Sequence, residues 1–186
     1  MKVTTLIKII EECLLSVVYD DKEIDEFRYI MECWNDVEYL RSFYIEQKSH
    51  LNGAFYGNIS VSEAVRITIE EAKELEEYIK RTAKKGKLDI SYSLQSIFKP
   101  LNNNEYTINL HQKTKARGIN KKSWLRVYAI RIAPNMFVIT GGGIKLTKTM
   151  NESEHLKREL HKLELTKSYL KEVGLLDEND YQFLEF

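Results

Sequence analysis

A β-hairpin between Ser123 and Met150 is the feature that most constrains how this chain folds. In its first half apolar residues alternate with polar or aromatic ones, a period typical of a strand with one buried face. Pro134 and Asn135 then predict a turn, because proline fixes φ and asparagine tolerates tight backbone geometry. A second strand is predicted from Met136. The charged residues of this stretch are all cationic: Arg126, Arg131, Lys145 and Lys148.

Three consecutive glycines, Gly141–Gly143, interrupt the second strand of the hairpin. A phosphate-binding loop would need the spacing GxxxxGK[ST], which is absent. The glycines therefore predict a turn or a β-bulge that requires positive φ.

Helices are predicted on both sides of the hairpin. Ser60 followed by Glu63 forms a capping-box signature, and the helix that it opens carries an apolar stripe as far as Gly86. A closing helix is predicted from Asn151 to about Gly174. The remaining predicted elements are a short helix over Thr4–Glu12, a strand over Leu14–Tyr19, helices from Lys22 and from Asn35, a loop over Leu51–Ile59 and a strand from Tyr106.

These elements predict an α+β fold. Consecutive strands joined by short turns are antiparallel neighbours, so we expect a small antiparallel sheet packed by N-terminal helices and a C-terminal helix. At 186 residues the chain is expected to form one domain over residues 1–186. Its parts are a helical N-terminal half (1–90), a basic sheet region (91–150) and a closing helix (151–175).

Composition indicates a cytoplasmic protein without a membrane span. No apolar run is long enough to cross a bilayer, and Glu11 and Glu12 interrupt the one N-terminal stretch that resembles a signal peptide. Cys13 and Cys33 are too few for a disulfide framework and lack metal-ligand spacing, so we expect buried thiols.

Charge is distributed unevenly along the chain although the net charge is zero. Residues 1–83 carry 10 Lys/Arg and 17 Asp/Glu, residues 84–150 carry 13 and 2, and residues 151–186 carry 5 and 9. The three segments therefore have charges of −7, +11 and −4. The basic segment indicates a surface that faces a polyanion, although the acidic helices are an alternative partner for its lysines.

One face of the predicted sheet is expected to be open and cationic. Leu125, Val127 and Ala129 would face the helices, because side chains alternate across a strand. The opposite face would carry no carboxylate. Its expected members are His111, Lys113, Lys115, Trp124, Arg126, Tyr128 and Lys145, with Arg117, Lys121 and Lys122 in the basic loop that precedes the hairpin.

That set of side chains suits RNA. Cations neutralise phosphates, and aromatic rings stack on unpaired bases. A lysine or tyrosine of lowered pKa, or His111, is a candidate to accept the proton of a 2′-hydroxyl, while arginine stabilises charge that develops on the phosphate. No cofactor is expected, and no metal, because the basic segment holds no cluster of metal-ligating residues. Each of these residues also has a purely structural alternative: Trp124 and Tyr128 as packing residues, and His111 as an ordinary strand histidine.

The segments FKPLNNNEYTINL, KTKAR, WLRVYAIRIAPNMFVIT and GGGIKLTKTM, followed by a charged helix, resemble the RelE/HigB/ParE superfamily of bacterial type II toxins. The resemblance covers about residues 92–165. It implies a RelE-like, HigB-like domain in which Arg126 binds phosphate and Tyr128 completes an arginine-led strand motif. Lys113, Lys115 and Arg117 match the family's basic strand and loop, and Lys145 and Lys148 match its late basic residues.

The resemblance implies an endoribonuclease toxin of a toxin–antitoxin system. Such a toxin cleaves mRNA, usually in the decoding site of the ribosome, and is neutralised by an antitoxin, here expected to carry a helix-turn-helix domain. Arg126, Lys145, Lys113, Tyr128 and His111 are the expected catalytic residues. The expected RNA-binding residues are Lys115, Arg117, Lys121, Lys122, Trp124, Arg131 and Lys148. Two alternatives remain: a ParE-like toxin that binds gyrase, and a non-catalytic module that binds nucleic acid or protein.

Overall fold

A computed structural model describes residues 1–51, 56–102 and 109–184 of the protein. Its six-stranded sheet has the order β1-β2-β6-β5-β4-β3. The neighbouring strands are antiparallel except for β2 and β6, which are parallel, so the sheet is mixed rather than antiparallel. The strands are β1 (Val3–Ile10), β2 (Leu14–Tyr19), β3 (Lys99–Pro100), β4 (Gln112–Arg117), β5 (Leu125–Ala133) and β6 (Met136–Ile144).

Five α-helices accompany the sheet in the described part of the chain, which confirms the α+β class. The predicted cap of the longest helix is confirmed, because the Ser60 hydroxyl accepts a hydrogen bond from the backbone N–H of Glu63 at 3.2 Å. None of these helices is long and apolar enough to cross a membrane. They are α1 (Glu26–Asn35), α2 (Val37–Glu46), α3 (Lys48–Leu51), α4 (Val61–Leu88) and α5 (Glu154–Glu172).

The N-terminal elements differ from the prediction in two places. The predicted helix over Thr4–Glu12 is wrong, because this segment forms β1 and pairs with β2 as a hairpin. Its threonines and isoleucines are β-branched and suit a strand. The helix predicted from Lys22 begins at Glu26, since the Asp25 carboxylate is the side chain that accepts the first helical N–H groups. The predicted strand from Tyr106 begins outside the described residues.

Two hydrophobic cores lie on the two faces of the sheet. Helices α1, α2 and α4 cover one face, where Leu125, Val127 and Ala129 are buried as predicted. The other face buries Tyr128 and Val138 among the leucines of α5. The predicted open face is therefore wrong for most of its length, because α5 packs on it.

Gly141 forms the predicted bulge, and Gly141 and Gly143 admit α5 to the sheet, whereas Gly142 lies against α1. Tyr128 pairs with Gly141 while Ala129 pairs with Ile139, so one residue of β6 has no partner, and Gly141 has a φ of 155°. A β-carbon at Gly141 would lie 2.0 Å from a carboxylate oxygen of Glu159 on α5. Helix α5 therefore rests directly on the backbone of β6 at this point.

Candidate nucleic-acid interface

Two rows of side chains run across the strands at one end of the sheet. Lys99 on β3 lies opposite Lys115 on β4, which lies opposite Tyr128 on β5. In the second row Arg117 lies opposite Arg126. The rows are two residues apart along each strand, so all five side chains share one face. Like charges directly opposite each other in a sheet are destabilising, so this arrangement has a cost in folding free energy.

Both rows line a cleft of about 1480 Å³. Its other wall is the segment that leads from β6 into α5, including Met150 and Asn151. Among the described residues that line the cleft there is no aspartate or glutamate. The described lining of the cleft is therefore rich in positively charged side chains. Its six cations are Lys99, Lys115, Arg117, Arg126, Lys145 and Lys148.

Backbone carbonyl groups fix the Arg126 guanidinium in the cleft. One of its terminal nitrogens donates to the carbonyl oxygens of Ser123 at 2.9 Å and Leu125 at 2.7 Å. Only 8% of Arg126 is exposed, and burial together with the nearby charge of Arg117 lowers its pKa. An arginine nonetheless stays protonated in proteins. The carbonyls thus orient the guanidinium without neutralising its charge.

Lys145 and Lys115 are held in the same way. The Lys145 ammonium donates to the carbonyl oxygens of Thr147 at 2.6 Å and Lys148 at 2.5 Å, and the Lys115 ammonium donates to that of Leu101 at 2.6 Å. Burial, followed by the charge of Arg126, lowers the pKa of both lysines. A lysine of lowered pKa releases its proton more easily than an exposed one, which is the property that a general base requires.

Tyr128 lines the cleft with a fully buried side chain. Its Oη has no hydrogen-bond partner among the residues that the structure describes. Burial raises the pKa of Tyr128, so the phenol stays protonated and can donate a hydrogen bond. A buried polar group without a partner costs free energy, and an anionic oxygen of a ligand in the cleft would supply the missing acceptor.

The lining residues that the sequence does not predict as site residues include Lys99, Tyr56 and Tyr78. Lys99 lies in a strand of two residues, which is too short to produce a periodic pattern. Tyr78 lies on α4 beside the apolar stripe. An aromatic residue on this glutamate-rich helix face is the sequence feature that could have indicated a site residue here.

Lys121 and Lys122, predicted to bind RNA, are exposed in the turn between β4 and β5 and do not line the cleft.

Three predicted residues lie toward the other end of the sheet, outside the cleft. His111 is fully buried, its Nε2 is 2.7 Å from the carbonyl oxygen of Leu175, and burial lowers its pKa. Lys113 forms an ion pair with Glu164 on α5. Arg131 pairs with β4 at the residue before Lys113, so it also lies away from the cleft. The predicted grouping of these three residues with Arg126 is wrong, because the cleft spans only one end of β4 and β5.

Trp124 lies on the side opposite to the predicted one. Its indole N–H donates to the Thr68 hydroxyl of α4 at 2.9 Å, and its ring packs edge-on against Tyr44 and Tyr56. Only 2% of the residue is exposed. Trp124 therefore packs in the helical core and offers no surface on which a base could stack.

Within residues 1–51, 56–102 and 109–184, no group of three or more His, Cys, Asp or Glu side chains is placed to hold a metal ion. Comparison with known proteins gave no match among family models, curated proteins or solved structures. The chemistry of the cleft is therefore the basis for assigning a function.

Proposed function

We propose that the protein is an endoribonuclease that binds single-stranded RNA in the cationic cleft. The observation that carries this proposal is the pairing of like charges, Lys99 with Lys115 and Arg117 with Arg126, in a cleft whose described lining has no carboxylate. Phosphate groups of a bound strand would relieve this repulsion and release counterions. A volume of about 1480 Å³ exceeds the range of about 300–1,000 Å³ for small-molecule pockets, which favours a polymer.

The side chains in the cleft suit cleavage by the RNA's own 2′-hydroxyl group. Its oxygen attacks the adjacent phosphorus, the bond from phosphorus to the 5′ oxygen breaks, and the products carry a 2′,3′-cyclic phosphate and a 5′-hydroxyl. One lysine, Lys145 or Lys115, accepts the 2′ proton in its neutral form, and the other donates a proton to the leaving oxygen. Arg126 stabilises the charge on the phosphoryl oxygens, and the Tyr128 hydroxyl donates a hydrogen bond to one of them.

We further propose that the substrate is mRNA and that the protein is the toxin of a toxin–antitoxin pair in the bacterial cytoplasm, acting on the ribosome. The support is that the family-like positions Lys115, Arg117, Arg126, Tyr128, Lys145 and Lys148 line one cleft, whereas Lys113 lies outside it. An antitoxin with a helix-turn-helix domain is the proposed inhibitor.

The test is to map the 5′ ends of mRNA in a reconstituted translation reaction that contains the purified protein. New 5′-hydroxyl ends are expected with the wild-type chain, and few with Arg126→Ala. Arg131→Ala is the matched control, because Arg131 lies on the same strand outside the cleft. Ends that appear equally on free RNA would identify a ribosome-independent nuclease. Intact message together with measurable RNA binding would refute cleavage and leave a binding module.

A further inference from the structure

A buried carboxylate lies beneath the turn that joins β4 to β5. Glu71 on α4 is 1% exposed, and its Oε1 accepts a hydrogen bond from the backbone N–H of Asn120 at 3.1 Å. Burial raises the pKa of this carboxylate, and the neighbouring Ser123 hydroxyl opposes that shift. Glu71 therefore anchors the turn at Asn120 and lies close to its end at Ser123.

The turn is built to lie close to this carboxylate. A β-carbon at Gly118 would lie 2.4 Å from Glu71 Oε1 and 2.1 Å from Ser123 Oγ, so any larger residue would separate them. The second carboxylate oxygen, Oε2, is buried and has no hydrogen-bond partner within the described part of the chain. Burying a carboxylate in this way costs free energy, so packing alone does not account for Glu71 at this position.

The contact continues from Glu71 through Ser123 to the cleft. Ser123 Oγ accepts the backbone N–H of Leu125 at 3.1 Å, which fixes the start of β5. The carbonyl oxygen of Ser123 accepts one of the hydrogen bonds of the Arg126 guanidinium. A shift of the turn would therefore move an acceptor that orients Arg126.

We infer that Glu71 is a positioning residue that holds the Arg126 guanidinium ready for a phosphate group by anchoring the Asn120–Ser123 turn. Glu71 does not line the cleft, so it would not contact a ligand that is bound there. The inference rests on the proposed function, because it takes RNA phosphate as the group that Arg126 contacts.

The test is a double-mutant cycle on the affinity for a single-stranded oligoribonucleotide. Glu71→Ala is expected to weaken binding by roughly tenfold in the wild-type background, because the orientation of a charge-assisted contact is lost. In the Arg126→Ala background the same change is expected to have less than about a twofold effect, since the positioned group is gone. Glu71→Gln keeps the acceptor oxygen and is expected to restore binding to within about threefold. Glu70→Ala, an exposed neighbour on α4, is the matched control.

Equal losses in the two backgrounds would overturn the inference, because a general loss of structure does not depend on Arg126. Failure of the positioning role can be distinguished from failure of the proposed function. If the wild-type chain binds no RNA, the proposed function fails, and the positioning role is then tested by amide exchange and arginine modification in the absence of RNA. Faster exchange at Asn120 and faster modification of Arg126 by a dicarbonyl reagent in Glu71→Ala, both restored in Glu71→Gln, would support that role. Unchanged rates would refute it.

Discussion

Replacement of Lys162 by methionine tests the buried ion cluster that joins α5 to α1. The Lys162 ammonium lies 2.8 Å from Glu26 Oε2 and 2.7 Å from Glu159 Oε1, and all three side chains are at most 9% exposed. Lys22 also pairs with Glu26 and would remain after the substitution. Glu159 would lose the Lys162 cation, and its second oxygen already lacks a hydrogen-bond partner in residues 1–51, 56–102 and 109–184.

The expected loss for Lys162→Met is about 3–5 kcal/mol in the free energy of unfolding, the range for removing one partner of a buried pair. For a chain of 186 residues, each kcal/mol corresponds to about 2–4 °C in Tm, so a fall of roughly 6–20 °C is expected. Lys113→Met is the matched control. It breaks the more exposed pair with Glu164 and should cost less than about 1 kcal/mol.

The loss at Lys162 should also depend on pH. Burial raises the pKa of Glu159 to about 7 from an ordinary value of 4.5, although Lys162 opposes this shift, so the pKa rises further when Lys162 is removed. The folded state then holds this proton more tightly than the unfolded state. The Glu159 proton therefore makes its full contribution to the free energy of unfolding below pH 4.5, and this contribution is lost as pH rises through the folded-state pKa. Thermal unfolding followed by circular dichroism should show a larger deficit at pH 8 than at pH 5. A deficit that shrinks with rising pH, or equal losses for the two variants, would contradict this reasoning.

Two further predictions concern the bulge and the chemistry of the cleft. Gly141→Ala places a β-carbon 2.0 Å from the Glu159 carboxylate and should lower the free energy of unfolding by about 1–3 kcal/mol through overpacking. Chemical denaturation measures this loss. Gly57→Ala controls for the effect of positive φ, because nothing lies within 4 Å of a β-carbon at Gly57. If Lys145 is the general base, Lys145→Arg should keep RNA affinity but lower the cleavage rate by about 10²–10⁴-fold, because arginine stays protonated. Single-turnover kinetics measures that rate. In the wild type the rate should rise with pH as Lys145 loses its proton, and fall once Lys115, the general acid, loses its own. A pH–rate profile without a rising limb would exclude Lys145 as the base.

The sequence correctly predicts the elements whose formation depends on residues that are close together in the chain. The hairpin around Pro134 and Asn135 follows from alternation and turn chemistry, and the start of α4 follows from the Ser60 cap. The helix predicted over Thr4–Glu12 is wrong because mixed apolar and charged residues in a short window fit both the helical and the strand period. Pairing with β2, which is a tertiary contact, decides the outcome.

The cleft was only partly predictable, since its limits depend on where α5 lies. Alternation correctly placed Arg126 and Tyr128 on one face with Lys115. It gave no information on which part of that face α5 would cover, because this depends on close contacts at Gly141. His111 and Lys113 therefore matched the pattern and yet lie outside the cleft.

The salt dependence of single-stranded RNA binding tests the central claim most directly. The slope of log affinity against log salt concentration is about −0.7 for each phosphate neutralised, so six cations in the cleft predict a slope of about −4. Arg126→Ala should reduce its magnitude by about 0.7, whereas Arg131→Ala, outside the cleft, should leave it unchanged. A slope near zero, or equal reductions for the two variants, would contradict the assignment of the cleft as the surface that binds RNA.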